Sequence, residues 1–167
     1  TTTDIVGLCV GTRPDCVPDA TLDLLADYQQ QGYEVWLELG LQSSFDRTLD
    51  LINRGHHFDA YIDAVKRARQ RQLKICTHLI IGLPGEAPED SMTTLDRVLK
   101  EGVEGLKLHP LHIVKGSQMA RQWKRGEIEA ISQQSYVDIA TRIIQHTPWE
   151  VVFHRVSATA RKPTLLA

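Results

Sequence analysis

Five short segments hold most of the side chains that could do chemistry. They are Gly11-Thr12-Arg13-Pro14-Asp15, Glu38-Leu39-Gly40-Leu41-Gln42-Ser43, Asn53-Arg54-Gly55-His56, His78 through Glu86, and Lys107-Leu108-His109-Pro110-Leu111-His112. Glu38 and Gln42 share a parity with Trp36 and Gly40, while Val35, Leu37, Leu39 and Leu41 share the other. In a strand this puts a carboxylate and an amide on the face opposite the aliphatic side chains. A carboxylate taken out of water needs a partner or a purpose. Glu38 therefore reads as a ligand-facing acid, or as half of an ion pair with Arg13 or Lys107. Gln42 reads equally as a ligand contact or as a hydrogen bond to nearby backbone. Arg54 falls near the end of a helix, where a cation is favoured. His109 and His112 would face opposite sides of a continuous strand, which argues against a shared metal, and no metal site is expected. Gly82, Pro84, Gly85 and Glu86 read as a tight turn opening a helix, with Glu86 near its positive end.

Four of these segments end runs rich in Val, Ile and Leu. Five such runs, at 4–10, 34–41, 73–83, 105–114 and 149–156, predict strands. The stretches between them carry helical stripes: Leu22, Leu25 and Tyr28; Phe45, Leu49 and Ile52; Ile62, Val65 and Ala68; Met92, Leu95, Val98 and Leu99; Tyr136, Ala140, Ile143 and Ile144. Strand–helix alternation predicts a parallel sheet with right-handed crossovers. Cys76, His78 and Ile80 share a face in the third strand, as do Lys107 and His109 in the fourth. An open doubly wound sheet would want both faces apolar, whereas a barrel tolerates polar groups in its upper interior. The predicted fold is thus α/β, a partial TIM-type (β/α) barrel of about five strands, forming one domain over 1–167. At 167 residues the chain is too short for eight β/α units, which usually take about 250 residues. It reads as an internal piece of a larger protein, with an apolar first strand exposed as an edge through which self-association could occur. The closing Pro163-Thr164-Leu165-Leu166-Ala167 reads as a cut rather than a terminus.

Composition narrows the partners. A net charge of −2 gives no polyanion footprint, so RNA is neither excluded nor indicated. Lys66, Arg67, Arg69 and Arg71 read as a solvated helix face. His154-Arg155 and Arg161-Lys162 could approach a substrate at the barrel mouth. Cys9, Cys16 and Cys76 are odd in number and not spaced as a zinc knuckle, and Cys9 reads as a small buried hydrophobe. No membrane span or signal pattern is present, and a reduced, cytoplasmic setting is expected.

The segments ELGLQS, NRGHHF, HLIIGLPGE, KLHPLHIVKGS and HRVSATARKPTLLA, in this order, resemble radical S-adenosylmethionine (SAM) enzymes over essentially the whole chain. The resemblance is strongest to YhcC-type proteins, related to the elongator, MiaB, NifB-like and coproporphyrinogen-oxidase-like branches. It implies a partial (β/α)₆ barrel, a [4Fe–4S] cluster, and reductive cleavage of S-adenosylmethionine for C–H activation. By position it assigns Gln42 and, one pleat pair earlier, Glu38 to the cofactor, and Arg54 to its carboxylate. His78 and Ile80 are assigned to the ribose and adenine. Gly82, Pro84 and Gly85 would let backbone approach the adenine, with His109 through Leu111 on the last adenine-contacting strand. The family's C-x₃-C-x₂-C cluster motif and glycine-rich amino-group segment are absent. The expectation is a chain supplying barrel strands three onward, active only within its parent. The alternatives are a non-enzymatic half-barrel binding a small ligand or partner subunit, and a metal-dependent barrel hydrolase using Glu38 and histidines. The substrate is not legible.

Overall fold

The computed structural model describes residues 4–160 and 163–167. Thr1–Thr3 and the basic pair Arg161-Lys162 lie outside the described residues. Among those described, the strands are β1 (Gly7–Thr12), β2 (Glu34–Gln42), β3 (Lys74–Ile81), β4 (Gly105–Pro110) and β5 (Val152–Arg155). The helices are α1 (Asp19–Gln30), α2 (Asp46–Leu51), α3 (Phe58–Gln70), α4 (Pro88–Lys100), α5 (Gln118–Lys124) and α6 (Gln133–His146). The strands are parallel and lie in the order β1-β2-β3-β4-β5. Right-handed crossovers that always step to the next strand place every connecting helix on one face. This is one wall of a barrel rather than a doubly wound sheet.

The covered face is the aliphatic one. Val35, Leu37, Leu39 and Leu41 of β2 and Ile75, Leu79 and Ile81 of β3 are buried in one core with Leu106 and Leu108 of β4. Leu22 and Leu25 of α1, Val65 and Ala68 of α3, Leu95 and Val98 of α4, and Ile139 and Ile143 of α6 complete it. Tyr61 reaches from α3 to donate or accept at the Thr77 hydroxyl, 2.7 Å away, so the one polar residue of that strand face is satisfied. Burial pushes the Tyr61 phenol well above its ordinary pKa, so it stays neutral. Helix entries follow local chemistry: Ser117 and Ser132 cap α5 and α6 with their hydroxyls, and Asp90 accepts from the Ala87 N–H ahead of α4.

Several boundaries differ from expectation, each for a physical reason. β1 starts at Gly7 and runs through Thr12, because its pairing is dictated by β2, with Gly7 opposite Glu34 and Thr12 opposite Leu39. Cys9 is exposed, not buried, since it lies on the uncovered face of an edge strand. β4 ends at Pro110, four residues early, and His109 and His112 then meet edge to face with centroids 4.7 Å apart. They therefore do not point to opposite sides. Helix α5 was not signalled by periodicity, because only Ala120 of its seven residues is buried. The last residues pair with the segment after β4: Leu165 bridges Val114 antiparallel, and Ile113 donates to the Ala167 carbonyl at 2.7 Å.

Of the basic run on and just after α3, Lys66 and Arg69 are exposed as expected of a solvated face, while two arginines bind α1 and its approach. Arg67 binds Asp63, Asp19 and the Val17 carbonyl, and Arg71 binds Asp23, stapling α3 to α1. Among the described residues no helix is long and apolar enough to cross a membrane.

Candidate functional site

Two polar groups occupy the face of the sheet that the helices leave uncovered. The lower one centres on Glu38, which is only 6% exposed. Lys107 of β4 donates to both of its carboxylate oxygens, at 2.5 and 2.6 Å. His78 of β3 reaches Oε2 at 3.1 Å, and His154 of β5 approaches Oε1 at 3.9 Å while its ring stands edge-on to Trp36. Of the two cations expected to pair with Glu38, the partner is Lys107; Arg13 turns instead to Asp15. Burial raises the Glu38 pKa, but Lys107 and His78 outweigh it and hold the carboxyl below its ordinary range. Burial lowers the pKa of both His78 and His154, so each favours its neutral form. Cys76 sits in the same layer, where burial and the Glu38 charge push its thiol up to about 12, leaving it inert.

The upper group lies at the C-terminal end of β2. A bulge between Gly40 and Gln42 shifts the register with β3, and Gln42 takes a left-handed φ of 80°. That conformation is costly for a residue with a side chain, and it turns the Gln42 amide back over Gly40. Arg54 folds over the same spot, donating from Nε at 3.2 Å and Nη2 at 2.5 Å to the Gly40 carbonyl. A β-carbon on Gly40 would stand 2.5 Å from Arg54 Nη2 and 3.0 Å from Gln42 Nε2. Glycine is therefore what leaves room for both the guanidinium and the amide above this strand position. Burial and neighbouring Arg13 lower the pKa of Arg54, yet it remains a cation. Among the described residues, neither Arg54 Nη1 nor the Gln42 amide has a hydrogen-bond partner, and no buried side-chain polar atom is left unpaired, so this unused capacity faces solvent.

The remaining expected residues lie along the same rim. Ile80 is half-buried on β3, opposite His109. His109 Nδ1 lies 2.5 Å from the Pro110 carbonyl, and buried Leu111 donates its N–H to Ile81 at 2.9 Å. Gly82 and Gly85 both have positive φ. The space a Gly82 side chain would take is filled by Ile131, whose Cβ is 2.6 Å away. Gly82, Pro84 and Gly85 line a cavity of about 540 Å³ against residues 127–132, and that cavity does not include Gln42 or Arg54. Glu86 bonds the Ser43 hydroxyl, tying this turn to the residue after Gln42; burial raises its pKa. Two contacts are not signalled by sequence. They are the contact of His56 with Arg54 and the approach of His154 to Glu38; the residues stand in the sequence reading, but these pairings do not.

Comparison with known proteins decides the family. The model of the radical SAM superfamily matches residues 2–98, and that of the radical SAM C-terminal domain matches residues 103–167. The chain belongs to the radical SAM superfamily. Among its superfamily relatives, YhcC of Escherichia coli is 61% identical over 164 residues, which are 98% of this chain and 53% of that protein. YtqA of Bacillus subtilis is 40% identical over 154 residues, 92% of this chain and 48% of that protein. The chain thus spans about half the length of these curated relatives. The archaeal Elp3 of Methanocaldococcus infernus superposes with a TM-score of 0.86 at 24% identity, over 96% of this chain and 38% of that one. That likeness shows the fold, a radical SAM barrel segment.

The superfamily's two cofactors fare differently against these residues. The Gln42 amide and the Arg54 guanidinium, side by side over Gly40 with N–H groups to spare, fit the carboxylate of S-adenosylmethionine. No such fit exists for an iron–sulfur cluster. Cys76 is buried and inert, Cys9 and Cys16 lie on separate elements, and among the described residues no three His, Cys, Asp or Glu side chains assemble as metal ligands.

Proposed function

We propose that the full-length protein carrying this chain is a radical SAM enzyme of the iron–sulfur oxidoreductase type, and that this chain supplies cofactor-contacting strands but not the cluster ligands. One observation carries the reading: the junction of Gln42 and Arg54 over Gly40, in a chain of this superfamily. Bound S-adenosylmethionine would supply a carbon–sulfur bond whose reductive cleavage yields a 5′-deoxyadenosyl radical for C–H activation. Arg54 and Gln42 hold the amino-acid end of the cofactor through charge-assisted hydrogen bonds. Ile80 offers an apolar surface for the adenine, with the backbone of Gly82, Pro84 and Gly85 and of His109 through Leu111 beside it. His78 keeps one ring nitrogen on Glu38 and leaves the other for the ribose. Glu38 acts below the ligand, holding Lys107 and His78 in place.

A second reading, a ligand-binding half-barrel without catalysis, is favoured by the unused N–H groups of Gln42 and Arg54, which a bound anion can take without any reaction. The experiment that separates the two is 5′-deoxyadenosine formation by the full-length protein, reconstituted anaerobically with iron and sulfide, reduced and given S-adenosylmethionine. Product supports the enzyme. No product from protein with a full cluster supports the binding module.

A further inference from the structure

We infer that His56 is a positioning residue that aims the Arg54 guanidinium at an anionic ligand group. This rests on the reading of Arg54 given above and goes beyond it by assigning a role to a residue that touches no ligand.

The argument begins with the hydrogen bonds of the His56 ring. Arg54 Nε lies 3.2 Å from His56 Nε2, and His56 Nδ1 lies 3.1 Å from the His57 carbonyl oxygen. A guanidinium can only donate and a carbonyl can only accept. Both contacts therefore demand the same neutral tautomer, protonated on Nδ1 with a lone pair on Nε2. His56 is 8% exposed, so its ring is held by packing as well.

Arg54 needs such a guide. It is a long side chain on a turn where Asn53 and Gly55, on either side, both have positive φ. Arg13, a second guanidinium, packs against Gly55, with Nη1 3.2 Å from the position of a Gly55 β-carbon. Repulsion between the two cations would swing Arg54 outward. Asp15 pins Arg13, while the Gly40 carbonyl and His56 Nε2 capture the Nε edge of Arg54. With that edge fixed, the plane of the guanidinium is fixed, and Nη1 is left for a ligand. The pattern is that of an outer residue orienting a binding residue.

The test is titration calorimetry on the full-length protein with two probes. S-adenosylhomocysteine carries the amino-acid carboxylate; 5′-methylthioadenosine lacks the whole amino-acid end. Arg54→Ala should weaken S-adenosylhomocysteine binding about tenfold and leave 5′-methylthioadenosine unchanged. His56→Leu should show the same selectivity with a loss of roughly three- to tenfold. His56→Gln, which can accept from Arg54 and donate to the His57 carbonyl, should recover binding to within about twofold. If Arg54→Ala is selective and His56→Leu binds like the wild type, the inference fails while the reading of Arg54 stands. If His56→Leu weakens both probes equally, His56 is merely structural and the inference also fails. If Arg54→Ala changes nothing, the reading itself fails. Should His56→Leu not fold, nitrogen-15 NMR of the wild-type imidazole decides: a proton on Nδ1 is expected, and a proton on Nε2 overturns the inference.

Discussion

Glu38 and Gln42 lie four residues apart on one strand and one face, yet their surroundings have opposite character. Around Glu38 the polar groups satisfy one another: Lys107 occupies both oxygens, His78 adds a third bond, and burial is nearly complete. Around Gln42 and Arg54 the polar groups converge with N–H groups left unused, in room that Gly40 leaves and on a backbone strained at Gln42. A nearly closed network gives rigidity and leaves a ligand only the second ring nitrogen of His78; an open one at strand ends lies where ligands of β/α barrels bind. The difference suggests that chemical reactivity of residue type is a poor guide here. Glu38 and Lys107 tie three strands together, and the unused N–H groups lie in the amide and guanidinium above them.

This contrast can be broken at its lower half with the largest expected effect. Lys107→Met leaves a buried carboxylate without its cation and should cost about 3 kcal/mol of stability in urea denaturation. Adding Glu38→Gln should restore most of that loss, since removing both charges also removes the desolvation penalty. A Lys107→Met variant as stable as wild type would mean that Glu38 is not confined as described. At the upper half, Gly40→Ala forces a methyl group against Arg54 and Gln42. It should destabilise by about 1–2 kcal/mol and also weaken S-adenosylhomocysteine binding, a combination the lower-layer variants should not show.

A smaller effect concerns pH. His78 and His154 titrate lower when folded, so the stability they contribute is present above their unfolded value of about 6.5 and declines as pH falls below it. The Glu38 carboxyl is also depressed, so its contribution is present above about 4.3 and is lost as pH drops through its folded value. Unfolding free energy from urea denaturation, followed against pH, should therefore fall over two ranges, and Glu38→Gln with Lys107→Met should flatten the lower one. A wild-type stability that does not change across either range would contradict the assignment. The smallest effect is expected from Arg71→Ala at the C-terminal end of α3, which should leave the urea midpoint nearly unchanged; a large shift would mean that this exposed ion pair does more than staple the surface.

Much of the scaffold was legible because period-two alternation is strong in β2, β3 and β4, whose aliphatic face is buried on helices. The edges were less so. β1 and β5 are bounded by their neighbours' register, and β5 spans only Val152–Arg155 within a longer apolar run. The site was legible in part for the same reason. Strand parity placed Glu38, Gln42, His78 and Lys107 on one face, but parity does not say which polar groups pair. His56 stands in a candidate segment, but its role is not legible there, since it depends on a hydrogen bond formed only after a turn brings Arg54 back over β2. The meeting of His109 and His112 depended on where β4 stops, a detail that residue spacing alone does not give.

The most direct test compares S-adenosylhomocysteine affinity in two variants of the full-length protein at equal folded content: Arg54→Ala, and Glu38→Gln with Lys107→Met. The account predicts that the first loses about tenfold in affinity while the second binds within about twofold of wild type. Affinity lost in the second and kept in the first would contradict it, placing the ligand on the lower layer instead of the rim.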